Sequence, residues 1–189
     1  MSLPESISGR LRVPVIAAPM LRVSGPELVI AACRAGVIGA FPTANARDAA
    51  TLGGWLRAID EQTEPTDPPP AANLIIRQPR MAEHLACLVR HRVELVITSV
   101  GSPAPVIGPL HDAGALVFAD VATLAHAEKA AAAGADGLIL LTAGAGGQTG
   151  WLNPFAFVRA VRQRFDGPIV LAGGISDGHS LLAAQVLGC

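Results

Sequence analysis

Short apolar runs alternate with longer helical patterns along almost the whole chain. The apolar runs are continuous rather than alternating with polar residues, which is typical of parallel strands that are covered on both faces. This alternation predicts strands that are joined through helices into a parallel sheet. Seven strands are predicted, over residues 13–19, 36–41, 72–76, 93–100, 115–121, 137–142 and 168–172. Helices are predicted over 26–34, 47–61, 80–91, 105–112, 124–133, 154–164 and from 179 onward.

A glycine lies at the end of each of four predicted helices. These glycines are Gly36, Gly114, Gly134 and Gly188. Because glycine favours the left-handed backbone at helix C-termini, their recurrence indicates a repeated βα unit. Asn153 and Pro154 mark the start of another helix, as an N-cap followed by proline in the first turn. The proline-rich segment 64–70 is predicted to be a surface loop.

The position of the glycine-rich turns decides between two parallel architectures. An open dinucleotide-binding sheet carries such a turn after its first strand, but here that strand runs into Pro19 and Met20 without a glycine. The glycine-rich turns instead follow the sixth and seventh strands, close to where barrels place a phosphate site. The sequence therefore predicts a (β/α)8 barrel of the TIM type. With seven predicted βα units, residues 1–189 are expected to form a single, incomplete barrel domain, truncated after the seventh unit.

Composition excludes several classes of partner. Hydrophobic residues make up 51% of the chain, charged residues 15%, and the net charge is −1. This balance argues against disorder and against nucleic-acid binding through basic charge, and no apolar run approaches the roughly 18 residues of a membrane span. The three cysteines lack metal-ligand spacing. We expect a cytoplasmic location, no metal site, and no nucleic-acid or membrane partner.

Two glycine-rich segments are candidate ligand loops. One contains Gly146 and Gly147, and the other contains Gly173 and Gly174. Backbone amides without side chains can approach a phosphate or a flat ring closely, and a helix N-terminus after the second segment could add to such a site. Ordinary turns between strand and helix are the alternative for both segments.

Side chains at other strand ends give weaker signals. Met20 follows the first strand, Asn73 is a lone polar residue in the third, and Asp120 is a carboxylate near the end of the fifth. Each of these side chains could contact a ligand or could have a structural role only. In the structural alternative, Met20 packs in the core, and Asn73 and Asp120 bond to the protein itself. Four histidines on helical patterns are predicted to be solvated or at helix ends: His84, His91, His111 and His126. Without a Gly-x-Ser-x-Gly motif or a metal cluster, a cofactor that carries its own chemistry is favoured.

The ordered motifs resemble the nitronate monooxygenase family, formerly called 2-nitropropane dioxygenases. They are Ala-Pro-Met at 18–20, Asn-Leu at 73–74, Ala-Gly-Gly-Gln-Thr-Gly at 145–150 and Ala-Gly-Gly-Ile at 172–175. The resemblance implies an FMN-dependent barrel that oxidises alkyl nitronates with molecular oxygen. It also implies that Ala18, Pro19 and Met20 line the isoalloxazine and that Asn73 bonds the flavin or its phosphate arm. Four glycines are expected to help hold FMN: Gly146, Gly147, Gly173 and Gly174.

The chain departs from the family pattern at residue 148. Gln148 stands where the family commonly has histidine, and an amide cannot accept a proton as an imidazole does. We therefore hypothesise that Gln148 orients the nitro oxygens and that substrates must arrive already deprotonated, as nitronates.

Two alternatives to nitronate oxidation stay open. One is an FMN-dependent enoyl-ACP reductase-like enzyme, recognised by its consumption of NAD(P)H. The other is an inactive incomplete barrel that binds no flavin. The missing unit would expose two strand edges, which favours pairing between copies of the chain.

Overall fold

In the computed structural model, residues 3–189 form an incomplete barrel of seven parallel strands with helices on its outer face. The strands lie in chain order within one sheet, and every neighbouring pair is parallel. The strands are β1 (Ile16–Ala17), β2 (Ile38–Pro42), β3 (Ala71–Ile75), β4 (Leu95–Ser99), β5 (Leu116–Val121), β6 (Gly137–Leu141) and β7 (Ile169–Ala172). The helices are α1 (Glu5–Ser8), α2 (Pro26–Arg34), α3 (Ala49–Gln62), α4 (Met81–Arg90), α5 (Ala104–Asp112), α6 (Leu124–Ala132), α7 (Pro154–Arg162) and α8 (Gly178–Leu187), with a 3-10 helix at Thr43–Asn45.

Each strand contributes to two cores because successive side chains point to opposite faces. In β5, Val117 and Ala119 pack outward with the helices, whereas Phe118 points into the barrel interior. The buried inner core contains Ile7, Ile38, Ala40, Ala71, Leu95, Ile97, Phe118 and Ile139. Burial on both faces explains why the strands read as continuous apolar runs.

The predicted βα order is confirmed, and so are the helix-end signals. Gly36, Gly114, Gly134 and Gly188 all have positive φ angles, between 86° and 108°. Asn153 caps α7 by accepting hydrogen bonds from the amides of Phe155 and Ala156. These seven consecutive βα units have the (β/α)8 type of architecture, with β1 and β7 at the sheet edges and no ladder joining them within residues 3–189.

Two features at the amino end differ from the sequence prediction. Strand β1 pairs with β2 over only two residues, much less than the predicted 13–19, because Pro14 and Pro19 at its flanks offer no amide hydrogen. Helix α1 was not predicted. It buries Ile7 in the inner core, and the nearby Arg10 pairs with Glu94 at 2.5 Å, just before β4. Helix α1 therefore closes the amino end of the barrel.

No helix within the described part of the chain is both long and apolar enough to span a membrane.

Close packing of α2 on β2 depends on Gly39. A Cβ at this position would lie 2.6 Å from the Val29 carbonyl oxygen and 2.8 Å from Val29 Cα. We expect Gly39→Ala to lower the free energy of unfolding by about 2 kcal/mol, since backbone atoms would have to move. Gly54→Ala is the matched control, because Gly54 lies within α3 and only the mobile Arg57 guanidinium comes as near as 4.0 Å to the added carbon.

The control should raise stability by about 0.5–1 kcal/mol through the higher helix propensity of alanine. Urea denaturation of both variants measures the two effects. Similar unfolding midpoints for Gly39→Ala and Gly54→Ala would contradict this packing.

Candidate functional site

The carboxyl ends of the parallel strands meet at one end of the barrel, which we call the mouth. In barrels of this type the mouth holds the functional groups. Three polar side chains occupy inward positions there: Asn73 of β3, Ser99 of β4 and Asp120 of β5. Each lies two residues beyond an inner-core residue of its own strand, namely Ala71, Ile97 and Phe118 respectively. We call these three side chains the polar cluster.

Asn73 is fixed by hydrogen bonds inside the barrel. Its Nδ2 donates to Ser99 Oγ at 3.1 Å and to the Ile97 carbonyl oxygen at 3.3 Å. Asn73 and Ser99 are both buried, with 6% and 5% exposure. These bonds satisfy the amide nitrogen and hold the side chain just below the mouth. That Asn73 also bonds a flavin stays a prediction.

Asp120 is the member of the polar cluster without a partner. Its ladder neighbour on β6 is Ile139, and the pairing of Thr98 with Ala119 places Ser99 beside it on β4. Among residues 3–189, none donates a hydrogen bond to its carboxylate. Burial raises the pKa of Asp120 from about 3.8 to about 7. The group therefore changes protonation state near neutral pH.

The loop between β6 and α7 is folded back on itself. Thr149 Oγ1 donates to the Thr142 carbonyl oxygen at 3.0 Å, and the Ala143 amide donates to the Leu152 carbonyl oxygen at 3.0 Å. Thr142 Oγ1 donates to the Ala172 carbonyl oxygen of β7, also at 3.0 Å. This loop is thus anchored to the end of β7 and held beside the next glycine-rich segment.

The two glycine-rich segments form an open surface. An added Cβ at Gly146, Gly147 or Gly174 would meet no atom within 4 Å, and one at Gly144 would lie 3.7 Å from the Gly174 nitrogen. In the described part of the chain, the amides of Gly146, Gly147, Gly173 and Gly174 donate no hydrogen bond, and neither does that of Gly144. We call this surface the glycine cradle. Such a surface can accept a phosphate, because free amides without side chains can approach an anion closely.

Gly173 has a different role from its neighbours. An added Cβ would collide with Thr142 Oγ1 and lie 2.9 Å from the Ala145 nitrogen, so this glycine permits the two loops to pack together.

The N-terminus of α8 does not serve as the phosphate site that the sequence allowed. Asp177 Oδ1 accepts from the Ser180 amide at 2.8 Å, while Ser180 Oγ accepts from the amides of Ser176 and Asp177 at 2.9 and 3.0 Å. This capping box occupies the Ser180 amide and places a carboxylate where a phosphate would bind. The repulsion between two anions leaves the cradle amides as the candidate phosphate donors.

The loop after β1 presents the predicted flavin-lining residues at the mouth. Ala18 is exposed and Pro19 half-buried, and Met20 is 43% exposed, so Met20 is not a core residue. Asn45 holds this loop: its Nδ2 donates to the carbonyl oxygens of Met20 and Ser24 at 3.0 and 2.8 Å. The role of Asn45 was not predicted from the sequence, because no local motif marks this residue.

The prediction that His84 is solvated or lies at a helix end was wrong. His84 is fully buried, and its Nδ1 lies 3.0 Å from Thr43 Oγ1 and 3.2 Å from Gln78 Nε2. Burial lowers its pKa. His84 therefore anchors the 3-10 helix that carries Asn45, at the carboxyl end of β2. Among residues 3–189 it makes no hydrogen bond to the polar cluster.

Two other features lie apart from the polar cluster. Gln148 is exposed in the β6–α7 loop, where its side chain is free to meet a ligand. A cavity of about 430 Å³ lies between α2 and α3 and is lined by residues such as Ile30, Arg34 and Trp55. Because that cavity is on the outer helical layer, it is not part of the mouth.

Comparison with known proteins identifies the family. The sequence profile of the nitronate monooxygenase family matches residues 80–189, which include the ends of β4 to β7 and both glycine-rich segments. The chain belongs to this family. The resemblance read from the sequence is thereby confirmed.

The proteins that this chain resembles are named for different activities. A dehydrogenase of Rhodococcus jostii, named for a 5-hydroxy-7a-methyl-1-oxo-octahydro-1H-indene-4-carboxyl-CoA substrate, is 30% identical over 93% of this chain and 48% of its own length. The structure of FabK from Thermotoga maritima matches with a TM-score of 0.89 and 26% identity, over 98% of this chain and 58% of that one. Nitroalkane oxidase from Streptomyces ansochromogenes gives 0.87 and 25%, over 97% and 65%. The chain spans about half the length of the first two curated relatives.

The elevated pKa of Asp120 should be visible in protein stability. Between about pH 4 and pH 7 the folded state holds a proton that the unfolded state has lost, so stability falls as pH rises through this range. Above pH 7 the folded protein carries the full cost of an unpaired carboxylate. Allowing for its partial exposure, we expect Asp120→Asn to be more stable than wild type at pH 8 by about 2 kcal/mol.

Thermal or urea unfolding at pH 4 and pH 8 measures this difference. The two proteins should converge toward pH 4. A constant difference between them at both pH values would show that Asp120 does not titrate as described.

Proposed function

We propose that the protein is a flavin-dependent oxidoreductase that binds FMN at the mouth and oxidises alkyl nitronates with molecular oxygen. The observation that carries this proposal is the glycine cradle, with its free amides and open space at Gly146, Gly147 and Gly174. When bound, FMN would supply the redox chemistry, by taking electrons from the substrate and passing them to oxygen.

The protein groups would bind and orient the reactants. The cradle amides would donate to the FMN phosphate, and the exposed Ala18–Met20 loop would offer an apolar surface to the isoalloxazine ring. Asn45 keeps that loop in place through its bonds to the Met20 and Ser24 carbonyl oxygens. The apolar inner core beneath the polar cluster would exclude water from the lower side of the site.

Gln148 would act on the substrate without exchanging a proton. Its Nε2 is a donor suited to a nitronate oxygen, and its amide has no useful basicity near neutral pH. This role agrees with the exposed position of Gln148 at the edge of the cradle loop.

A flavin-dependent dehydrogenase or reductase is the second candidate. It is favoured by the 30% identity to the Rhodococcus jostii dehydrogenase and by the similarity to FabK. An enoyl-ACP reductase-like activity falls in this class. Oxidation of NAD(P)H in the presence of an unsaturated or carbonyl thioester would favour it over nitronate oxidation. An inactive, truncated barrel that binds no flavin is the remaining alternative.

Flavin binding can be tested at one open glycine. Gly146 has an ordinary φ angle and free space for a side chain, so Gly146→Val should fold normally but fill part of the cradle. We expect FMN affinity to fall at least tenfold, measured by quenching of flavin fluorescence. Gly54→Val in α3, on the outer helical layer, is the matched control and should bind FMN as wild type does. Wild-type protein that stays colourless with excess FMN would refute the proposal.

The role of Gln148 predicts a graded loss of nitronate oxidation. Gln148→Ala removes one hydrogen bond to the substrate, so kcat/KM for ethylnitronate should fall about tenfold. Gln148→Glu keeps the shape but places a negative charge beside an anionic substrate, and the loss should be larger. FMN affinity should change little in Gln148→Ala. Equal activity of Gln148→Glu and wild type would contradict this role.

A further inference from the structure

We propose that Asp120 is the proton acceptor of the site, removing a proton from an acidic C–H group of a neutral substrate such as a nitroalkane. This inference rests on the proposed function for the identity of the substrate class. It changes the expectation that Gln148 restricts the protein to substrates that are already deprotonated. The base would lie on β5 instead of in the glycine-rich loop after β6.

The first support is the position of Asp120. It is the penultimate residue of β5, on the inward face that it shares with Phe118, at the carboxyl end of the strand. Its side chain is half-buried and belongs to the polar cluster, next to Ser99 and across from Ile139. A small substrate that enters the mouth over a bound flavin would meet this carboxylate from the open side.

The second support is the electrostatic isolation of the group. Strands β4 and β6, which flank β5, present Ile97, Ser99 and Ile139 on the inward face, and none of them is titratable. Helices α5 and α6 pack against the outward residues of β5. Their charged or titratable residues therefore lie beyond the opposite face of the sheet: His111, Asp112, His126, Glu128 and Lys129.

This isolation leaves burial as the cause of the raised pKa of Asp120, about 7. A carboxyl with a pKa close to the working pH is present partly as the base and is still strong enough to compete for an acidic carbon-bound proton. A histidine at position 148 would be tuned to the same range. Asp120 thus supplies the capacity that the glutamine lacks.

The third support is the cost of keeping Asp120 in place. A structural aspartate in a strand would normally cap an amide or pair with a cation, and Asp120 does neither within residues 3–189. An asparagine of the same shape would avoid the ionisation penalty. Residues that lower stability without a structural partner are concentrated at functional sites.

The step conserves electrons. The α C–H bond of the nitroalkane breaks, its electron pair stays on the substrate as the nitronate, and the proton forms a bond to a carboxylate oxygen of Asp120. The proton later leaves to solvent through the mouth. No oxidant is needed for this step, which is distinct from the oxidation that follows.

Deuterium exchange tests the step without relying on oxidation. Nitroethane in buffered D2O is followed by proton NMR with wild type, Asp120→Asn and the matched control Asp112→Asn, an exposed aspartate of α5. Wild type and Asp112→Asn should accelerate loss of the α-proton signal above the buffer rate. Asp120→Asn should lower the protein-catalysed rate about a hundredfold. Exchange by Asp120→Asn at the wild-type rate, or no acceleration by wild type, would overturn the proposal.

A second readout does not depend on any variant being active. In protein labelled with 13C at aspartate carboxyls, one resonance should titrate with a midpoint near pH 7 and should be missing in Asp120→Asn. If that variant fails to fold, the wild-type titration and the rise of wild-type exchange through pH 7 remain decisive. A set of aspartate resonances that all titrate below pH 6 would refute the inference.

Turnover by the FMN-loaded protein separates this inference from the proposed function. The ratio of nitroethane oxidation to ethylnitronate oxidation should fall about a hundredfold in Asp120→Asn. Wild-type protein that exchanges nitroethane protons but oxidises no nitronate would contradict the proposed function alone. Wild-type protein that oxidises ethylnitronate while Asp120→Asn keeps the same ratio would contradict the role of Asp120 alone.

Discussion

The two-faced burial of the parallel strands is the constraint on which the rest of the molecule depends. Each strand packs against helices on one face and against the barrel interior on the other. A polar residue in a strand is therefore tolerated only near an open end. The inner core holds Phe118 and Ile139 at mid-strand, and the polar cluster begins one inward position higher. Within that cluster, Asn73 and Ser99 satisfy each other, which leaves Asp120 as the inward polar group with free bonding capacity.

The loops after β6 and β7 would hold an anion, in the function proposed above, without a charged side chain. Glycines keep the amides of both loops accessible, and Thr142 ties the first loop to the end of β7. The adjacent helix contributes structure only, because Asp177 already caps its N-terminus. An anion site made of loop amides fits a chain with few charges. In the proposed site, the surface for the flavin lies on one side of the mouth and the isolated carboxylate lies on the inner wall.

Local patterns in the sequence were sufficient to predict the succession of strands and helices along the chain, the helix ends and the position of the glycine-rich loops. The order of the strands within the sheet was predicted partly from the family resemblance. Apolar runs, glycines with positive φ and the Asn153 cap are determined within a few neighbouring residues. Features that depend on distant contacts were not predictable. Asn45 donates a hydrogen bond to a loop more than twenty residues earlier in the chain. His84 is buried where it contacts Thr43, about forty residues earlier. The isolation of Asp120 likewise depends on the strand register and not on its own neighbours.

Mapping of backbone amides during a titration with FMN would test the central claim most directly, because it shows which residues meet the flavin phosphate. In 1H–15N spectra of the protein, the largest shifts should belong to the amides of Gly146, Gly147, Gly173 and Gly174, with smaller shifts in the loop around Met20. Shifts confined to the cavity between α2 and α3, or spectra unchanged by FMN, would contradict a flavin site at the mouth of the barrel.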